Sequence, residues 1–324
     1  MIFKQHQLLA AAFVAVTALS GPAFGEGSWP SKPVRVIVPI AAGGVTDVVV
    51  RAMSRDLSQR LGQTFVVDNR PGANGVIGGE VCAKATPDGY TVCVVNTGIT
   101  SVNPLVYEKL PFDPAKDYVP VANLYFLTGA VVVPASLPIN TVAELRAAAT
   151  GKRGAVNFGT IGPGSYPEMF LTWLNREWKT AITGVPYKGG GPVAIALISG
   201  EVQVSAAALG NFIGQLKAGQ LKALAVSGQK RSRLLPQVPT YADAGLGSFK
   251  GHMWWGMVAP TGTPSRVISR LNQAIVEVFK QPRFGAFLES QAAESVVDSP
   301  QAFATFLEAD REWTKKLLVG ARRK

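Results

Sequence analysis

Histidine and cysteine are scarce in this 324-residue chain, with two of each, and that scarcity excludes most catalytic and metal chemistry at the outset. His6 lies in the extreme N-terminal segment, so His252 is the one imidazole in the body of the chain. A Ser-His-Asp triad therefore has a single candidate base, and no GxSxG elbow stands ready to pair with it. The string Ser227 to Lys230 matches SxxK but lacks its companion motifs and reads as a loop. Cys82 and Cys93 have no neighbouring histidine, which leaves a metal without a ligand set. A P-loop lysine motif is missing, and Gly72-Ala73-Asn74-Gly75 lacks the strand-GxGxxG order of a dinucleotide site. No catalytic residue, cofactor or metal is expected. Charged residues make up only 16% against 47% hydrophobic, with no low-complexity tract, so a disordered chain is excluded too.

Long apolar runs are equally rare. After residue 19 nothing approaches the eighteen or so uninterrupted apolar residues of a membrane span. The one sizeable run, Leu8 to Leu19, follows Lys4 and precedes Pro22 and the small-x-small triplet Ala23-Phe24-Gly25. That layout predicts a secretory signal peptide over residues 1–25, cleaved after Gly25, and hence a periplasmic protein. Twelve helical residues rise only about 18 Å, short of a hydrocarbon core of about 30 Å. No cysteine follows the run to take a lipid. Cleavage leaves about 299 residues, enough for two domains of about 150 each.

Negative charge is in deficit: 21 acidic against 32 basic side chains give a net charge of +11. Lys4 is the only charge before the cleavage point, so the exported chain keeps all but one of that excess. A positive field favours the capture of anions. The basic residues are scattered; the dense runs are Lys230-Arg231-Ser232-Arg233 and the tail Arg322-Arg323-Lys324. Those read as a solvated loop and a terminus, so no nucleic-acid partner is expected.

What remains is an alternation of Val/Ile-rich runs with helical patterns. Val34 to Ile40 is nearly all apolar, as in a parallel strand buried on both faces. After the turn Ala41-Ala42-Gly43-Gly44, the residues Val49, Met53, Leu57 and Leu61 repeat every four positions up to a Gly62 stop. A strand over Thr64 to Val67, a helix over Val76 to Ala85 and a strand over Tyr90 to Val95 complete a βαβαβ order, the mark of an α/β parallel sheet. Cys82 falls late in that helix and Cys93 in that strand. An oxidising compartment permits a disulfide between them, and two buried thiols fit equally, because the Cα separation is not in the sequence.

The order then repeats. Leu124 to Val133 is one long apolar stretch; Thr141 to Ala149 reads as a helix, Ala155 to Phe158 as a strand, and Glu168 to Trp178 as a helix. A helix ending near Gly200 and strands Val202 to Ala206 and Ala223 to Val226 follow. Thr263 reads as the cap of an amphipathic helix that begins at Pro264 and is stopped by Pro282. No Pro/Ser linker separates the halves, which predicts two lobes joined by more than one crossing strand.

Two strand-to-helix glycine loops carry the candidate site. In the first, Ala41, Gly43, Gly44, Val45, Thr46 and Asp47 let a ligand approach the backbone N–H groups of a helix start, which favour an anion. The second, with Gly159, Thr160, Gly162, Gly164 and Ser165, repeats the arrangement. Both would lie at the carboxyl ends of strands, where open α/β sheets bind ligands. Two such loops facing across a cleft make an anion clamp; as ordinary glycine turns, they would use Thr46 and Asp47 only as helix caps. Asp47 suits a helix start whatever the protein does. Toward an anionic ligand it would orient or select, not attract. His252, Trp254 and Trp255 are expected at a lobe boundary or cleft rim.

Seven blocks in order, PIAAGGVTDVVVR (Pro39 to Arg51), DNRPGANGVIGGE (Asp68 to Glu80), PDGYT (Pro87 to Thr91), DPAKDYVPVA (Asp113 to Ala122), VPYKGGGP (Val185 to Pro192), LPQVPTYADAG (Leu235 to Gly245) and WWGMVAPTGTP (Trp254 to Pro264), resemble the Bug family. These TctC-like proteins are the extracytoplasmic solute receptors of tripartite tricarboxylate transporters. The resemblance implies a type II periplasmic-binding-protein fold: lobe 1 from residues 26–122 plus 242–324, lobe 2 from 123–241, a ligand cleft between. It implies a monomeric, non-catalytic receptor that grips a carboxylate with main-chain groups and waters of the two loops, with Asn96, Thr97, Tyr187, Lys188 and Gly189 also near the cleft. Its partners would be a small organic anion (a di- or tricarboxylate, amino acid or aromatic acid) and the membrane subunits of the transporter. A receptor serving a sensor is the alternative within that class, and a secreted hydrolase relying on His252 the alternative outside it. Similar receptors usually carry Asp where this chain has Ala196, and often bulkier or proline-containing residues at Ala41-Ala42.

Overall fold

The computed structural model describes residues 29–151 and 156–318. The signal peptide expected at residues 1–25, Ala155 at the start of an expected strand, and the basic tail Arg322 to Lys324 lie outside the described residues. The chain begins β1 (Val34–Val38), α1 (Val45–Leu61), β2 (Phe65–Asn69), α2 (Val76–Ala83), β3 (Thr91–Val95), α3 (Asn103–Val106) and β4 (Tyr118–Leu127). It continues with β5 (Gly129–Pro134), α4 (Val142–Gly151), β6 (Asn157–Thr160), α5 (Tyr166–Trp178), β7 (Thr183–Pro186), α6 (Gly190–Ile198), β8 (Val204–Ala208), α7 (Ile213–Lys217) and β9 (Leu221–Val226). It ends with β10 (Met253–Pro260), α8 (Ser265–Phe279), α9 (Pro282–Ser290), β11 (Ala293–Ser295) and α10 (Pro300–Leu318).

Two sheets form, ordered β11-β4-β10-β3-β1-β2 and β7-β6-β8-β5-β9. Leaving out the edge strand β11, both follow one plan. The first strand of each lobe pairs in parallel with the second on one side and the third on the other. A strand arriving from the other lobe then inserts antiparallel between the third and the fourth. The switch points lie at the ends of β1 and β6, where the two glycine loops emerge.

The burial pattern explains the elements. Val49, Met53 and Leu57 of α1 are fully buried against β1, and Gly62 ends the helix at φ 73°, a left-handed turn that costs glycine little. Successive residues of a strand face opposite sides of the sheet. Val36, Val94, Trp255 and Met257 therefore enter the core beneath α1 and α8, while Ile37, Cys93, Trp254 and Val258 enter the core beneath α2 and α10.

The long stretch Leu124 to Val133 is two strands in two sheets. Thr128 sits at the break, its N–H bonded to the Ala292 carbonyl and its carbonyl accepting from Leu209. The expected division after residue 122 falls inside β4, which pairs with β10 through Leu127. That after 241 also moves later, because Leu246 and Phe249 still pack in the second lobe. The crossings are therefore Thr128 and the segment between Phe249 and Met253. A third connection is α10: Phe303 and Leu307 pack under the first sheet, while Leu317, and Trp313 beside it, pack in the core of the second lobe.

Two helix-end readings need correction. Thr263 donates its hydroxyl to the Pro260 carbonyl and does not cap α8, whose first turn follows Pro264. Pro282 does not stop α8, which ends at Phe279; it opens α9, where a missing N–H costs nothing. The alternatives left open for the cysteines resolve as a disulfide, Cys82 to Cys93, with Cα atoms 6.1 Å apart. It ties α2 to β3 across 11 residues of chain. Closing so short a loop in the unfolded state is worth about 2–3 kcal/mol. The double substitution Cys82→Ala, Cys93→Ala should lower the urea-unfolding free energy by about that amount without abolishing folding.

Candidate functional site

The cleft between the sheets encloses a cavity of about 270 Å³, near the small end of the ~300–1,000 Å³ range of ligand sites. On one wall the loop after β1 contributes Gly44, Val45 and Thr46. Gly44 is extended at φ −81°, ψ 168° and has no side chain to cap α1. The N–H groups of Val45, Thr46 and Asp47 begin the helix and so have no intrahelical acceptor. Together with the helix dipole they form the positive end of α1 at the cavity.

Asp47 keeps that loop in place. Its Oδ2 accepts from the Gly43 N–H and from Arg51 Nε, both at 3.0 Å, and its Oδ1 accepts from Asn69 Nδ2 at 2.9 Å. Burial pushes its pKa up, but the hydrogen bonds from Arg51, Gly43 and Asn69 and the Arg51 charge outweigh burial and hold it below the usual carboxylate range. Its oxygens are occupied inside the protein and it does not line the cavity. The orienting role expected for Asp47 gives way to bracing.

Beside this loop, β3 runs into Asn96 and Thr97, which line the cavity. Asn96 Oδ1 accepts from the Ile99 N–H. Thr97 donates to Asp310 Oδ1 at 3.1 Å, Trp254 Nε1 donates to the same oxygen at 3.0 Å, and Ser101 donates to Oδ2 at 2.5 Å. Asp310, on α10, is 8% exposed. Burial raises its pKa, although the three hydrogen bonds and Arg311 oppose the shift. One buried carboxylate thus fixes two cavity-lining side chains, Thr97 and Trp254.

The facing wall comes from the loop after β6. Gly162 and Gly164 have φ of 94° and 77°. Ser165 donates to the Gly162 carbonyl and caps α5 by accepting from the Glu168 N–H, while Pro167 has no N–H to offer. The two loops therefore differ: α1 starts open and α5 starts capped. Gly164 and Ser165 line the cavity. A Cβ on Gly164 would stand 2.5 Å from Asn74 Nδ2 of the opposite lobe, so the lobes touch here and only glycine fits.

Of the residues expected at the site, Gly44, Val45, Thr46, Asn96, Thr97, Gly164 and Ser165 meet around the cavity; the others lie outside its lining. Ala41 and Gly43 are exposed on the loop before α1. Gly159 and Thr160 are buried in β6, their carbonyls taken by Ser205 and Tyr187, and Gly162 serves the Ser165 turn. Tyr187, Lys188 and Gly189 connect β7 to α6 beside the end of β6 and outside the lining, with Lys188 exposed. Sequence reading missed Asn74, Asn211, Met169 and Leu127. Asn74 could have been suspected from the Gly-Ala-Asn-Gly turn, where it adopts φ 51°; the others carry no local signal.

His252, Met253, Trp254 and Trp255 line the cavity from the start of β10. The His252 ring stacks on Phe126 with centroids 5.2 Å apart. Although its side chain reaches solvent, desolvation by the surrounding protein and then the Lys250 charge hold its pKa below the ordinary value. Among the described residues no hydrogen bond joins it to a serine or a carboxylate. Nor does any group of three His, Cys, Asp or Glu stand where it could hold a metal.

Two α/β lobes of matching strand order, closed on one cavity, define the periplasmic-binding-protein class of ligand receptor. Solved structures agree: Rpa4515 of R. palustris with adipate superposes at a TM-score of 0.83 with 32% identity, covering 90% of this chain and 97% of that one. The malate-bound MatC of Rhodopseudomonas palustris gives 0.80 at 29% identity over 90% and 100%, and periplasmic binding protein BugD gives 0.81 at 28% over 90% and 98%. BugT of Bordetella pertussis is 30% identical across 91% of this chain and 90% of its own length. Residues 49–321 match the family described as Tripartite tricarboxylate transporter family receptor, and the chain belongs to that family. Its members are solute receptors, not enzymes.

Replacing Asp310 tests the floor of the site. Asp310→Ala strands three donors and should cost about 2–4 kcal/mol. Asp310→Asn keeps Oδ1 for Thr97 and Trp254 and can donate to Ser101, so it should fold within about 1 kcal/mol of wild type. A folded-state pKa raised above the unfolded value means that the folded chain binds the extra proton, so stability is gained as pH falls through the folded pKa. Urea titrations should show wild type gaining on Asp310→Asn as the pH is lowered from neutrality.

Proposed function

We propose that this chain captures a small organic carboxylate between its lobes outside the cytoplasmic membrane and presents the closed complex to the membrane subunits of a tripartite transporter. The observation that carries this reading is the uncapped start of α1 at the cavity, because aligned N–H groups without internal acceptors are a ready site for an anion. Adipate and malate in similar receptors support the same ligand chemistry. Gly44, Val45 and Thr46 hold the carboxylate; Asn96, Thr97, Gly164 and Ser165 complete the enclosure. Both walls come from one chain, which supports a monomeric receptor. The leader at residues 1–25 is removed after Gly25, and no described helix is long and apolar enough to cross a membrane.

Closure is a hinge motion about the crossings at Thr128 and before β10, and the ligand favours the closed state because only there does it touch both walls. The excess of basic side chains, which loses only Lys4 with the leader, raises the local concentration of anions. The grip itself comes from the backbone.

Thermal shift of the mature chain against carboxylates, with their carboxamides and with sugars as controls, tests the reading. A ligand at 100 times its Kd adds about 2.7 kcal/mol of stability; a response to sugars alone would refute the proposal. The substitution Val45→Pro is more incisive. Gly44 is already extended, as a residue before proline prefers, and proline at the first helical position leaves a helix intact. Losing one N–H to a charged acceptor should weaken acid binding by about 1.5–3 kcal/mol, read by calorimetry, with the circular dichroism of the free protein unchanged.

A further inference from the structure

Resting on the reading that a carboxylate docks at the start of α1, we infer that Tyr125 of β4, which does not touch the ligand, is a positioning residue that commits the Thr46 hydroxyl to donate to that carboxylate. Tyr125 is fully buried, and its hydroxyl is sealed from solvent without a hydrogen-bond partner. The polar side chain that acts on it is Thr46, itself buried and part of the cavity lining. Leu127 lies two residues along β4 and so on the same face, and Trp255 stands opposite Tyr125 on β10; both line the cavity. The phenol therefore sits one layer behind the cavity wall, with its oxygen toward the start of α1. A buried hydroxyl left unpaired is rare in a folded protein, because the unmade bond destabilises the fold.

Ligand binding gives that hydroxyl its bond. A threonine hydroxyl has one proton to give and two lone pairs to offer. Burial raises the Tyr125 pKa, so the phenol keeps its proton and acts as a donor toward Thr46 Oγ1. With that lone pair taken, the Thr46 proton is free to turn into the cavity, where an ionised carboxylate at the helix start accepts it. The bonds then run in series, from the Tyr125 hydroxyl to Thr46 Oγ1 and from the Thr46 hydroxyl to the ligand. Hydrogen bonds in series polarise one another where water is excluded. The free protein carries an unmade bond and the bound protein completes it, so the difference appears as affinity.

Calorimetric titration of the mature protein with adipate, malate, phenylalanine and benzoate identifies the acid of these four that wild type binds most tightly. That acid is then titrated into Tyr125→Phe, Thr46→Val, Thr46→Ser and the double variant Tyr125→Phe, Thr46→Val. Tyr125→Phe should weaken binding about three- to tenfold, while its urea-unfolding midpoint without ligand matches or exceeds that of wild type, since the hydroxyl it loses was unpaired. In the Thr46→Val background Tyr125→Phe should have no further effect on binding, and Thr46→Ser, which keeps a hydroxyl, should retain most of the affinity that Thr46→Val loses. Wild-type affinity in Tyr125→Phe, or losses that add in the double variant, overturns the inference and leaves the carboxylate reading standing. A Tyr125→Phe chain less stable than wild type without ligand does the same, because the phenol was then already bonded in the fold. No binding of any of the four acids by wild type overturns the carboxylate reading and the inference with it.

Discussion

The structure depends on a helix start deliberately left without a cap. An α-helix begins with N–H groups that its own backbone cannot satisfy, and most proteins close that end with a serine, threonine or aspartate side chain. Here Gly44 stands at the cap position with nothing to offer. Asp47, which could have closed the end, turns back instead to Gly43, Arg51 and Asn69. The loop is therefore held rigid by a carboxylate whose charge is already neutralised, while the helix start points at the cavity. The contrast with α5, capped by its own Ser165, gives the cleft a polar pole on one wall.

The other wall and the floor follow from how the chain crosses between lobes. β5 and β10 each leave one lobe to insert in the sheet of the other, so the cavity lies where both crossings pass. β10 brings His252 to Trp255 to that point, and alternation along the strand sends neighbouring tryptophans into different cores. α10 then reaches back from the C-terminus with Asp310. A single buried acid holds a residue from β10 and two from the segment after β3, so the geometry of the floor depends on a part of the chain remote in sequence from both.

Sequence reading recovered most of the α/β order because its signals are local. Four-residue apolar spacing ending at Gly62, valine runs buried on both faces, and glycines before helices each state one element. Where a local pattern has two structural meanings, the sequence does not decide between them. Leu124 to Val133 reads as one apolar stretch, and the structure divides it between two sheets, since a buried strand reads the same in either lobe. Thr263 and Pro282 have the composition of a cap and a stop, yet packing placed the helix ends elsewhere.

The site divides in the same way. The sequence alone singled out two glycine-led helix starts as the places where backbone N–H groups could meet a ligand, because a glycine before a helix brings no side chain of its own to cover them. Tertiary structure alone decided which start stays open, that Gly159, Thr160 and Tyr187 to Gly189 fall outside the cavity lining, and that Asn74, Met169, Asn211 and Leu127 belong to it. Those outcomes turn on which side chains reach the same few cubic ångströms from distant strands, and on which hydrogen bonds are already taken. Neither quantity is a property of a short stretch of sequence.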